Sequence, residues 1–243
     1  MEWYEVAFDT LYPILYEHRD IEESDAVAKA FGSLFLDKDP ILDLACGNGR
    51  YLESISRRGH LIFGLDLSHY LLRACLDSWG HKGLIMQADM RRIPLLTGSV
   101  GAVINMFTSF GYFSRDTDNL LVSKEVFRVL RWGGIFLFDF INARKIASSL
   151  LEESQRESGS FIIKEKRRLE NYGKYLVKDI QAINAQSGTK EQIEERLRLY
   201  TMDELIIMFE SVGFKIDSVF GGYDLSPFVE GVSDRVIIVS AKK

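Results

Sequence analysis

Two cysteines, four histidines and four prolines in 243 residues exclude several kinds of protein at once. Two thiols cannot build the disulfide framework of a small secreted fold. Their places, Cys46 in a loop and Cys75 in a helical pattern, suit a reducing compartment and point to the cytoplasm. His18, His60, His69 and His81 show no ligand spacing, alone or with the cysteines, so no metal site is expected. No apolar run reaches the roughly 18 residues of a membrane-spanning helix, and Glu2 and Glu5 make the N-terminus unlike a secretory signal. Basic charge is scarce too: 30 Lys and Arg stand against 35 Asp and Glu, a net charge of −5, whereas a nucleic-acid polymer calls for a cationic surface. The short basic runs Arg57-Arg58, Arg91-Arg92 and Lys164 to Arg168 read as solvated faces. Neither a nucleic-acid nor a membrane partner is expected, and a small neutral or cationic ligand is favoured.

What is present is organised around Pro40 to Ser68. A short apolar run ends in a small-residue loop, a helical segment carries Leu52 and Ile55 on one face, and a second apolar run covers Leu61 to Leu67. The pattern predicts a strand, a tight turn, a helix and a parallel strand. Gly47 and Gly49 flank Asn48 where the chain must swing from strand to helix, and glycine there allows φ > 0 and close approach of a ligand. The first N–H groups of the helix add donors at the same spot. Asp66, at the end of the second run, can accept hydrogen bonds from a pair of ribose hydroxyls. A nucleoside-bearing ligand is implied. A dinucleotide fingerprint needs a third glycine, and Arg50, Tyr51 and Leu52 follow Gly49 instead. Asp43 just before the turn would repel a diphosphate and could bond donors of a cationic ligand.

Leu42-Asp43-Leu44-Ala45-Cys46-Gly47-Asn48-Gly49 resembles the first motif of the class I S-adenosylmethionine-dependent methyltransferases, with Ala45 at the place of the first glycine. The resemblance implies S-adenosyl-L-methionine as cofactor, with Asp43 and Ala45, Cys46, Gly47, Asn48 and Gly49 around its methionine part and Asp66 at its ribose; Leu67 is assigned to the same cofactor. It carries Asp89 and Met90, at the end of the run Leu84 to Ala88, over to the adenine. Asn105 and Phe107, at the end of the fourth apolar run, are assigned to the same ligand. The implied fold is α/β: a doubly wound, seven-stranded Rossmann-like sheet with the last strand antiparallel, an N-terminal helical lid and a small antiparallel β insertion after the fifth strand.

Residues 1–36 look like two helices, the first rich in aromatics. Phe8-Asp9-Thr10-Leu11 resembles the family's N-terminal lid segment, and Tyr4, Phe8 and Tyr12 are assigned to the substrate pocket. A helix carrying Val122, Val126, Val129 and Leu130 is expected to end at Gly133-Gly134, before a fifth strand, Ile135 to Ile141. Residues 161–200 break the βα rhythm: Ile193, Glu195, Leu197 and Leu199 alternate with Glu194, Arg196, Arg198 and Tyr200, as in half-buried antiparallel strands. Thr201-Met-Asp-Glu204 is a capping box that opens a helix ended by Gly213. No repeat or linker appears, so residues 1–243 are read as one domain, with a cap at 1–36, a core at 37–142 and 201–243, and an insertion at 160–200.

The resemblance implies methyl transfer to an N or O atom of a small molecule by in-line displacement, which needs positioning more than acid–base groups. Asp139 and Tyr112 are the proposed bases, and Ser109, Phe110, Asn142, Arg198 and Tyr200 complete the substrate pocket. A monomer or homodimer is expected. The alternatives are a non-catalytic protein that holds S-adenosylmethionine or S-adenosylhomocysteine and, with less support, a nicotinamide-dependent oxidoreductase.

Overall fold

The computed structural model describes residues 3, 4, 15, 21–79 and 84–243. Its centre is a seven-stranded sheet built from β1 (Ile41–Leu44), β2 (Ile62–Asp66), β3 (Ile85–Gln87), β4 (Val100–Asn105) and β5 (Leu130–Ile141), then β10 (Phe214–Phe220) and β11 (Arg235–Lys242). The order is β10-β11-β5-β4-β1-β2-β3, and β11 runs antiparallel between β5 and β10. From β1 the chain moves outward through β2 and β3, then returns to place β4 on the other side of β1. Such a reversal splays the connecting loops apart and opens a crevice at the carboxyl ends of β1 and β4.

Both faces of the sheet are covered, which is why its strands are nearly continuous apolar runs. The helices α1 (Ile21–Ala30), α2 (Arg50–Ser56) and α3 (His69–Trp79) lie on one side, where Ile41, Ile104 and Leu137 meet Val27, Leu52 and Cys75. On the other side Leu42, Val103 and Phe138 meet Val122 and Val126 of α4 (Asp116–Val129) and Phe209 of α6 (Met202–Val212). Alternation along β5 sends Phe136, Phe138 and Phe140 to the second face and Ile135 and Leu137 to the first. The α6 capping box forms as the sequence suggests, and Gly213 closes the helix at φ 112°.

Three boundaries differ from expectation. The helix around Val126 ends at Val129, because Leu130 is already extended (φ −66°, ψ 134°) and pairs with Val100; Gly133 then sits within β5, in the segment that loops out before Ile135 pairs with Ala102. The second of the two helices expected within residues 1–36 stops at Ala30 and gives way to a 3₁₀ turn, Gly32–Phe35. After α5 (Ala143–Ser148) comes the inserted sheet, and it has four strands: β6 (Glu153–Ser158), β7 (Phe161–Glu170), β8 (Tyr175–Asn184) and β9 (Lys190–Arg198), each antiparallel to the next. Strand β6, Glu-Ser-Gln-Arg-Glu-Ser, lies ahead of the anticipated segment. It is an edge strand with no apolar residue, so it leaves no period-2 signal.

Candidate functional site

A cavity of about 370 Å³ opens at the crevice, and residues from the β1–α2 loop, the ends of β2 and β3, the segment after β4 and the second sheet line it together. The β1–α2 loop turns through positive φ at Ala45 (62°), Gly47 (54°) and Gly49 (83°). Ala45 and Gly47 face the cavity, and a Cβ added at Gly47 would meet nothing within 4 Å. The Gly47 N–H is not free for a ligand: it donates to Asp66 Oδ2 at 2.8 Å, while the Ser68 N–H donates to Asp66 Oδ1 at 2.8 Å. These bonds aim the carboxylate, and each oxygen keeps a lone pair for a hydroxyl. Burial pushes the Asp66 pKa up, against the pull of the backbone donors of Ser68, Gly47 and Leu67.

Asp43 is 1% exposed and lies under the loop, away from the cavity wall. Its Oδ2 has no hydrogen-bond partner, and burial, then the charge of Asp66, raises its pKa to about 8 against a weaker opposing effect of Arg50. Asp43, assigned to the methionine part of the cofactor, thus lies behind the loop. Cys46 and Gly49 are likewise buried behind it, and Asn48 faces solvent. Leu67, Met90 and Asp89 line the cavity, but both Asp89 oxygens bind Arg91 (Nε at 3.1 and 3.0 Å, Nη2 at 2.5 Å). Burial would raise the Asp89 pKa, yet the Arg91 bonds hold it below the usual carboxylate value.

After β4 the backbone enters two consecutive left-handed conformations at Phe107 (φ 66°) and Thr108 (φ 65°), and both residues face the cavity. Ser109 and Tyr112 line it too, with Trp3 edge-on to Tyr112 at 5.2 Å and Tyr4 edge-on to Phe113 at 5.5 Å. Tyr4 thus lines the cavity, whereas Phe8 and Tyr12 lie outside the described residues.

Six assignments from the sequence fall elsewhere. Asn105 donates Nδ2 to the Leu44 carbonyl at 2.8 Å and so ties β4 to β1. Phe110 is core, edge-on to Phe138 at 5.3 Å. Asn142 caps α5 and donates Nδ2 to the Ser233 carbonyl. Arg198 binds Glu204 at 2.5 Å, and Tyr200 donates to Asp116 at 2.6 Å; the pair joins α4 to α6. Asp139 is 0% exposed and accepts from Arg235 Nε and Nη2, the Phe107 N–H and the Tyr223 hydroxyl, each at 2.7 Å. A carboxylate so enclosed and so fully bonded does not reach an acceptor, so Asp139 is withdrawn as a base.

The second sheet supplies what the sequence reading missed. Arg167 of β7, Lys178 of β8 and Glu195 of β9 are register partners across three strands, and all three line the cavity. The neighbouring row on the same face is Leu169, Leu176 and Leu197. Lys178 Nζ and Glu195 Oε2 are 3.3 Å apart, and Glu195 is 8% exposed. The signal was there: Glu195 has the phase of Ile193 and Leu197, a carboxylate on the apolar side of an alternating strand. Arg235 reaches the cavity from β11 and carried no sequence signal.

The residues fit a nucleoside with a charged tail: an aimed carboxylate at Asp66, a glycine opening beside it, and Ala88 and Met90 on the wall beyond. Fold and site define an α/β enzyme of the nucleotide-crevice kind. The comparisons support a class I S-adenosylmethionine-dependent methyltransferase, with S-adenosyl-L-methionine as its cofactor. A methyltransferase-domain family matches residues 42–138. The chain is similar to the putative methyltransferase YqeM of Bacillus subtilis (strain 168), 28% identical over 246 residues that cover 97% of this chain and 96% of the relative. It shares its fold with a S-adenosylmethionine-dependent methyltransferase from Clostridium acetobutylicum ATCC 824 (TM-score 0.79, 17% identity, 95% of each chain). It also shares it with S-adenosylmethionine-bound CalS10, an amino pentose methyltransferase from Micromonospora echinaspora (TM-score 0.69, 17% identity, 100% of this chain and 98% of that one).

Proposed function

We propose that this enzyme methylates an N or O atom of a small molecule held between the β1–β4 crevice and the inward face of the second sheet. The observation that carries this reading is the continuity of one cavity from Gly47 and Asp66 to the row Arg167, Lys178 and Glu195. CalS10, which has the same fold, acts on an amino sugar, and a polar acceptor of that size suits a charged row set beside leucines. The two cysteines are free and buried, in keeping with a cytoplasmic protein.

S-adenosylmethionine supplies a methyl group on a sulfonium sulfur, already activated for in-line displacement. The chain's part is positioning and exclusion of water. Asp66 would hold the ribose hydroxyls, Ala88 and Met90 would lie beside the adenine, and Trp3, Tyr4 and Tyr112 form an aromatic part of the cavity wall. Well-oriented reactants contribute on the order of 7–11 kcal/mol to such a reaction. Glu195 and Lys178 orient the acceptor. Where the acceptor loses a proton, Tyr112 and Glu195 are the groups on the cavity wall able to take part.

The test is transfer of labelled methyl groups from S-adenosylmethionine into pools of small amines and hydroxyl compounds, followed by Glu195→Gln. Label should enter the small-molecule fraction, and Glu195→Gln should lower kcat/KM for the acceptor about 10–100-fold while leaving S-adenosylhomocysteine affinity unchanged. Label confined to protein or nucleic acid would overturn the acceptor class.

A further inference from the structure

Two successive non-glycine residues in the left-handed region are costly, and such conformations persist only where the surroundings over-determine them. At Phe107 and Thr108 the surroundings do so through one buried group. The Phe107 N–H donates to Asp139 Oδ2 at 2.7 Å, and the Thr108 N–H donates to the Asp139 carbonyl at 3.1 Å. Arg235 binds both Asp139 oxygens at 2.7 Å and donates from Nη2 to Thr108 Oγ1 at 3.0 Å. Its guanidinium also lies 5.3 Å from the Phe107 ring centroid, and that of Arg50 lies 4.6 Å from the same centroid. Tyr223, from the loop after β10, adds a hydroxyl bond to Asp139 at 2.7 Å. Four segments distant in sequence thus converge on a two-residue turn that forms cavity wall.

We infer that Arg235, with Asp139 and Tyr223, is a positioning unit that holds the Phe107–Thr108 turn in its strained shape, and that this shape sets affinity for the methyl donor. The ion pair alone would need neither the Thr108 bond nor the ring contacts. A purely structural link between β5 and β11 is already present in their pairing from Arg235↔Ile141 to Ala241↔Ile135. Arg235 is the one pocket-lining residue contributed by β11, and its charge is compensated from behind by Asp139, so it shapes the wall without adding net charge. The inference rests on the donor site proposed above.

The probe is S-adenosylhomocysteine, titrated calorimetrically into the wild type, Arg235→Lys and Tyr223→Phe, with amide hydrogen exchange measured on the same proteins without ligand. Lysine keeps the charge opposite Asp139 but cannot also bridge to Thr108 and lie against Phe107. Arg235→Lys should raise Kd about tenfold and speed exchange at residues 107–109 by a similar factor, with the β5–β11 amides unchanged. Tyr223→Phe, which leaves the ion pair intact, should move both readouts the same way by about threefold. Wild-type affinity and exchange in both variants would overturn the inference, as would faster exchange spread evenly over the sheet, the mark of a merely structural role. Failure of the wild type to bind S-adenosylhomocysteine would instead remove the donor site itself.

Discussion

Asp43 invites a measurement of stability against pH. Its carboxyl is 1% exposed, Oδ2 has no partner, and its pKa is raised to about 8 by burial and by Asp66. In the unfolded chain an aspartate titrates near 3.9. Between these values the folded protein holds a proton that the unfolded chain has lost, so stability is highest at low pH and falls as pH rises toward the folded value. The slope is about 1.4 kcal/mol per pH unit, so Asp43 alone should remove roughly 2–3 kcal/mol between about pH 5.5 and about pH 7.5. Asp43→Asn keeps the shape and cannot ionise. Urea unfolding of the ligand-free protein at several pH values should show a steep decline for the wild type and a slope shallower by about 1 kcal/mol per pH unit for the variant. Asp66, whose pKa is also raised, acts with the same sign in both proteins wherever it titrates. Parallel slopes for the two proteins, or wild-type stability that climbs through this range, would refute the placement of Asp43 as a buried, poorly compensated carboxyl.

Two further outcomes follow from the donor side. Asp66→Ala should weaken S-adenosylhomocysteine binding by up to roughly 1.5–3 kcal/mol per lost hydroxyl bond, read by calorimetry; unchanged affinity would take Asp66 out of the ribose role. Gly64→Ala should cost about 1–3 kcal/mol of stability and also weaken donor binding, because the new Cβ would lie 2.5 Å from Cys46 Sγ and 2.9 Å from Leu52 Cδ1 and push the β1–α2 loop outward. A melting temperature and affinity equal to wild type would show that the loop yields freely.

Local chemistry carried much of the outcome. The Asp43 to Asp66 segment announces a strand, a glycine turn, a helix and a parallel strand through periodicity and positive-φ residues, and each of these is decided within a few neighbours. The capping box at Thr201 and Glu204 is equally local, and so is the helix it starts. The cofactor and the sheet's antiparallel last strand followed from the family resemblance that the Asp43 to Asp66 segment carries.

Tertiary structure decided which polar side chains face the cavity. Arg198, at the end of β9, and Tyr200, just beyond it, bond to α6 and α4, while Glu195, of the opposite strand phase to Arg198, lines the cavity with Lys178. Asp139 lies near the carboxyl end of β5 and Asn142 just beyond it, yet their lone pairs and donors are taken up by Arg235, Tyr223 and Ser233, all about 80–100 residues away in sequence. Hydrogen-bond satisfaction between distant segments has no local periodicity, so a strand-end carboxylate that serves a ligand and one that holds a turn look alike until the chain has folded.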